Sequence, residues 1–156
     1  MKFVAGLCFF CICTLIGIIN SKKYSNRYKF YTALLNFNQD FKSVLSFRRD
    51  YVEKLLNKDY KFQPFNEILE QKLSNSFNKN TLNLPDFLND EEKYEIVEFF
   101  NQMGKFDAIT QSEIAIRYEE LFKRKIESCD IDNKKYGLLY KKLGIIVGLI
   151  VFIIVV

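Results

Sequence analysis

Two uncharged apolar runs bracket a polar middle. From Phe3 to Ile19 there is no charged residue and one hydroxyl, Thr14, and from Leu143 to Val156 there is neither charge nor hydroxyl. A bilayer core stabilises such runs by about 0.8 kcal/mol per buried methylene, so each is expected to be a membrane-spanning helix. The spans are placed at 1–20 and 143–156, with a helical domain at 21–142 between them. Crossing a hydrocarbon core takes about 20 helical residues, which puts the first run near the lower limit. The second is shorter still. It needs Tyr140, Lys141 and Lys142 at the interface, the ring among headgroups and the ammonium groups reaching water.

Between the runs the apolar positions recur at three- and four-residue steps, the spacing of one buried helix stripe. Tyr28, Tyr31, Leu34, Leu35, Phe41, Val44 and Leu45 define one helix; Tyr51, Val52, Leu55 and Leu56 a short second; Phe65, Ile68, Leu69, Leu73 and Phe77, after Pro64, a third. Asn78 to Asn83, ahead of Pro85, reads as a loop. Asn89 or Asp90 then caps a helix whose first turn carries Glu91 and Glu92, favourable against the positive end of the dipole. Gly104 ends it. No alternating run marks a strand, and the fold class expected is all-α, a helical bundle between an N-terminal and a C-terminal transmembrane helix.

Thr110-Gln-Ser-Glu113 has the spacing of a capping box and opens the last helix, which continues through Ile114, Tyr118, Leu121, Phe122, Ile126 and Cys129 toward the second span. Asp130 to Asn133 is poor helix-forming sequence, a place to fray or kink. If the helix holds there it runs from Thr110 to Val156, about 70 Å, and couples the domain rigidly to its anchor. Gly104, Asp107, Thr110 and Gln111 form the corner before it: Gly104 in a left-handed conformation, Thr110 as cap, Asp107 and Gln111 bonding free helix-end groups. The corner either holds the bundle together, the simpler reading, or contacts a partner.

Within the spans, Gly144 and Gly148 make a Gly-x-x-x-Gly pattern with Gly137 one heptad earlier, and Gly6, Cys13 and Gly17 repeat a seven-then-four spacing. Small residues so placed let helix backbones approach closely. Gly6, Gly17, Gly144 and Gly148 are therefore candidates for membrane-helix packing, although the ordinary glycine content of membrane helices explains them equally well.

Charge orients the chain. Lys22, Lys23, Arg27 and Lys29 follow the first span against Lys2 before it, and Lys134, Lys135, Lys141 and Lys142 precede the second. Basic residues stay cytoplasmic, so the middle is expected inside and both termini outside. A cleaved signal peptide is disfavoured, because the residues around Gly17 to Ser21 lack the small pair that a peptidase reads and cations follow at once. A lipoprotein is disfavoured too, since Leu7, Phe10 and Ile12 precede Cys8, Cys11 and Cys13 where a small residue is required. The net charge of +4 is modest and gathers beside the membrane, which points to anionic lipid and away from nucleic acid. Cys129 stands alone outside the spans, so neither disulfide framework nor zinc site is expected. The abundance of Lys, Asn, Ile and Phe reads as nucleotide-composition bias.

Catalysis is not expected. The chain has no histidine, hence no ordinary neutral-pH base. It has no Gly-rich loop before Lys-Ser/Thr and no Gly-x-Ser-x-Gly turn. Asp90, Glu91 and Glu92, and Glu119 and Glu120, read as solvated helix faces, and Cys129 lacks an activating base. The catalytic, metal and cofactor assignments are therefore all none.

Ser21 to Tyr24 after the first span, the stretch Phe99-Phe-Asn-Gln-Met-Gly-Lys-Phe-Asp-Ala-Ile-Thr-Gln111, and the approach Lys134-Lys-Tyr-Gly-Leu-Leu-Tyr-Lys-Lys-Leu-Gly144 to a terminal span are similar to one known pattern. They resemble the stage III sporulation protein AB family, most specifically in the Gly104-x-x-Asp107-x-x-x-Gln111 element and the Lys-Tyr-Gly-x-Leu-Tyr approach. The resemblance implies a component of the mother-cell membrane around the forespore, similar to the F-type inner-membrane platforms of type II secretion and type IV pilus machines. Its implied partners are sister sporulation membrane proteins and a cytoplasmic ATPase, besides membrane lipid; a second copy of the chain is a further candidate. A stand-alone membrane adaptor recruiting a cytosolic partner is the alternative. A transporter is disfavoured because neither span carries an ionisable residue.

Overall fold

The computed structural model describes residues 2–45, 50–74 and 83–155. Its elements are α1 (Lys2–Val44), α2 (Asp50–Leu56), α3 (Gln63–Leu73), α4 (Asp90–Gln102), α5 (Ala108–Asp132), a π-helical turn (Asn133–Gly137) and α6 (Leu138–Val155). No strand occurs among the described residues, and the all-α class is the fold found. Residues 78–82 of the expected Asn78–Asn83 loop, Phe77 and the side chains of Tyr51 and Val52 lie outside the described residues.

The chain divides into two compact units, Lys29–Ile126 and the segments Met1–Tyr28 with Glu127–Val156. In the first, the core is aromatic. Phe30, Tyr31, Phe37, Phe65, Phe100 and Phe122 are fully buried. Phe37 meets Phe65 and Phe100, each at 5.8 Å between ring centroids, and Phe99 meets Tyr118 at 4.9 Å and Phe122 at 5.3 Å. Most of these contacts are edge-on or tilted, as the ring quadrupole favours. The stripe that α1 buries is Phe30, Leu34, Phe37 and Phe41, flanked by Tyr31 and Asn38, whereas Leu35, Val44 and Leu45 stay half-exposed. Asn38 is buried whole, its amide donating to the Ala115 carbonyl at 2.9 Å. Ion pairs close the edges, Lys42 and Lys123 both on Glu119 and Lys125 on Glu95. Leu73, at the end of α3, is exposed and outside the core.

Local chemistry sets the helix ends. Pro64 sits in the first turn of α3, where a missing N–H is harmless. Asn89, not Asp90, caps α4: its Oδ1 accepts from the Glu92 amide at 2.8 Å while Glu92 Oε2 accepts from the Asn89 amide at 3.1 Å. Glu92 is therefore buried as the second half of a capping box, although the sequence placed it on a solvated face.

In the second unit the apolar part of α1 lies along α6. The poor helix-forming stretch before α6 neither frays nor breaks. It widens into the π-helical turn at Asn133–Gly137, and helical structure continues on both sides.

Candidate functional site

Glycines set how closely the two apolar helices approach. A Cβ built on Gly17 would lie 2.7 Å from the Tyr140 carbonyl oxygen and 2.9 Å from the Gly144 Cα. One on Gly144 would lie 3.0 Å from the Cys13 carbonyl oxygen, and one on Gly148 would lie 2.9 Å from the Phe10 ring. Backbone thus touches backbone, which only glycine permits. Gly6 is buried as well. Farther along, Phe3 meets Phe152 edge-on at 5.6 Å. Thr14, the hydroxyl in the first run, donates to the Phe10 and Cys11 carbonyls of its own helix, so its polar group is satisfied locally.

At the basic end of this pair Ser21 faces Gly137, and the Tyr24 ring stacks on both Tyr136 and Tyr140, with centroids 5.8 and 5.9 Å apart. Burial, then the neighbouring Tyr140, pushes the Tyr24 phenol upward from its ordinary pKa. Arg27 pairs with Asp132 at 3.5 Å and Lys134 with Asp130. Lys22, Lys23, Lys135, Lys141 and Lys142, within two residues of these tyrosines in the chain, are exposed, and the Lys135 ammonium lies 5.1 Å from the centre of the Tyr136 ring. The tyrosine stack was not foreseen from the sequence. Its signal was the i, i+4 spacing of Tyr136 and Tyr140.

The corner residues come together as well, with one exchange of roles. Gly104 takes φ +76°, the left-handed conformation expected of it. Gln111 is buried and its Oε1 accepts from the Gly104 amide at 2.9 Å, satisfying the group that the turn frees. Thr110 is not the cap of α5. The helix starts earlier, at Ala108, and Asp107 is its cap: Oδ2 accepts from the Ile109 and Thr110 amides at 3.1 and 3.2 Å, and Oδ1 from the Thr110 hydroxyl at 2.7 Å. A carboxylate accepts two amides at once and is favoured by the helix dipole, so it displaces the neutral hydroxyl from that role. These bonds, the Thr110 hydroxyl first, hold the Asp107 carboxyl below the usual range. Glu113, the expected second half of Thr110's box, is exposed.

Beside the corner opens a groove of about 600 Å³, lined by Phe41, Leu45, Leu56, Met103, Phe106 and Lys72 among others. Lys72 donates to the Phe100 carbonyl at 2.9 Å, and burial, then Lys105, lowers the pKa of its ammonium. Among the described residues no three His, Cys, Asp or Glu side chains gather as metal ligands would.

The elements and contacts above define an all-helical protein with two helices long and apolar enough to cross a membrane. The chain belongs to the stage III sporulation protein AB family, whose model matches residues 2–156. No curated protein and no solved structure matches it. It is thus a stage III sporulation protein.

Proposed function

We propose that the chain is a non-enzymatic platform in the mother-cell membrane around the forespore, spanning it twice with residues 21–142 in the cytoplasm, where they dock an ATPase of a secretion-like transenvelope complex. The observation that carries this reading is the contact of the two apolar helices through Gly17, Gly144 and Gly148, with Lys22, Lys23, Lys141 and Lys142 at one end of the pair against Lys2 at the other. Helices packed side by side cross one bilayer together, and a shared basic end retains the intervening residues on the cytoplasmic side. Work must then come from a partner. The chain has no histidine and no phosphate-binding loop, and Cys129 is buried away from solvent. The outward faces of α4 and α5, with Glu91, Glu113, Arg117, Glu120 and Lys123 exposed, offer a polar and salt-sensitive contact.

The test uses the full chain in nanodiscs. It should hydrolyse no nucleotide and should bind the cytoplasmic ATPase encoded beside it, more weakly as salt rises. In a spore-forming host its deletion should stall development after engulfment. Normal sporulation in a deletion strain that carries no related copy would refute the proposal.

A further inference from the structure

We infer that the basic end of the helix pair is a binding site for anionic lipid headgroups, in which cations of both helices surround the Tyr24, Tyr136 and Tyr140 stack. Residues 20–28 and 129–142 carry Lys22, Lys23, Arg27, Lys134, Lys135, Lys141 and Lys142 against Asp130 and Asp132. That is an excess of five positive charges, seven less two, in a chain whose net charge is +4, so the remainder is close to neutral. Both carboxylates are already engaged, Asp132 by Arg27 and Asp130 by Lys134. Lys22, Lys23, Lys141 and Lys142 are exposed and have no carboxylate partner among the described residues.

The register of the pair brings these charges together. Gly17 lies against Tyr140 and Gly144, and Ser21 against Gly137, so Lys141 and Lys142 sit about one to two turns nearer the apolar end than Lys22 and Lys23. A lysine stem lies along apolar surface while its ammonium reaches outward, which raises Lys141 and Lys142 toward the level of the other two. Tyrosine rings favour the same depth, where the apolar body and the hydroxyl are each accommodated. Cations gathered without carboxylates repel one another unless an anion lies between them. At this depth the anion on offer is a lipid phosphate.

The site rests on the reading that both apolar helices lie in a membrane, and the test separates the two. Full-length chain in mild detergent is mixed with phosphatidylglycerol or phosphatidylcholine, and bound lipid is counted by native mass spectrometry. The wild type should retain phosphatidylglycerol about tenfold more strongly than phosphatidylcholine, and Lys22→Gln/Lys23→Gln/Lys141→Gln/Lys142→Gln should lose that preference. The corresponding four Lys→Arg changes should keep it, which guards against a variant that simply misfolds. Equal retention of the two lipids by the wild type would overturn the site, as would an undiminished preference in a folded Gln variant. Displacement of phosphatidylglycerol by inorganic phosphate would reassign the cations to a soluble anion and overturn it too. Extraction of the chain from membranes by alkaline carbonate would defeat the membrane reading itself, whereas retention without lipid preference defeats the site alone.

Discussion

Adding one methyl group at Gly17 probes the contact between the apolar helices. The new Cβ of Gly17→Ala would meet the Tyr140 carbonyl oxygen at 2.7 Å, about 0.7 Å inside the 3.4 Å at which ordinary contact begins. It would also meet the Gly144 Cα at 2.9 Å. Neither atom belongs to a side chain that can swing away, so the helices must part. Overpacking of this kind costs about 1–3 kcal/mol. Alanine in place of glycine inside a helix returns about 0.5–1 kcal/mol, which leaves a net loss centred on about 1 kcal/mol and reaching at most about 2.5 kcal/mol. Gly137→Ala supplies the contrast, because its nearest obstacle is Asn133 Oδ1 at 2.9 Å, the end of a side chain that can rotate. That change should be neutral or slightly stabilising. Unfolding of the full chain is followed in mild detergent as dodecyl sulfate is added, using the near-ultraviolet circular dichroism of its nine tyrosines, the Tyr24, Tyr136 and Tyr140 stack among them. A Gly17→Ala protein as stable as the wild type would refute the close-packed pair, as would equal damage from Gly137→Ala.

Phe37 is fully buried among the rings of Phe41, Tyr60, Phe65, Phe99 and Phe100, so Phe37→Ala should cost about 3–5 kcal/mol in thermal unfolding. Asp107→Ala should cost about 1 kcal/mol as the loss of a helix cap, and Thr110→Val clearly less; the reverse order would restore Thr110 as the cap. Glu119 is held to a pKa of about 2, below its ordinary 4.5, by bonds from Lys123 and then Lys42. With the folded value depressed, the stability it adds is present above pH 4.5 and is lost as the pH falls toward 2. Glu119→Gln should flatten that limb of the stability profile, and an unchanged acid limb would show the pair to be inconsequential.

The long periodic elements could be read from the sequence because their signals are local. Runs without charge, Gly104 followed by a new helix, and Pro64 in a first turn each act within a few residues. What escaped depends on neighbours distant in sequence. Phe37 lies between Asn36 and Asn38, so its burial is hidden in a polar setting until Phe65 and Phe100 pack on it. Asn38 is buried because the Ala115 carbonyl, 77 residues away, receives its amide. The capping exchanges show competition between nearby candidates. Asn89 with Glu92 met the capping-box spacing as well as Thr110 with Glu113 did, and Asp107 outcompeted Thr110 by offering charge. Gly17, Gly144 and Gly148 stood out by spacing, but the structure supplies what spacing lacks, the backbone atoms that face them.

The most direct test of the two-pass platform is its topology. A reporter that functions only outside the cytoplasm is fused after Val156 in one version of the full chain and inserted after Asn83 in another. Activity after Val156 with silence at Asn83 is the result expected of two spans around a cytoplasmic body. Activity at Asn83 would place the body across the membrane from any cytoplasmic ATPase and contradict the proposed function.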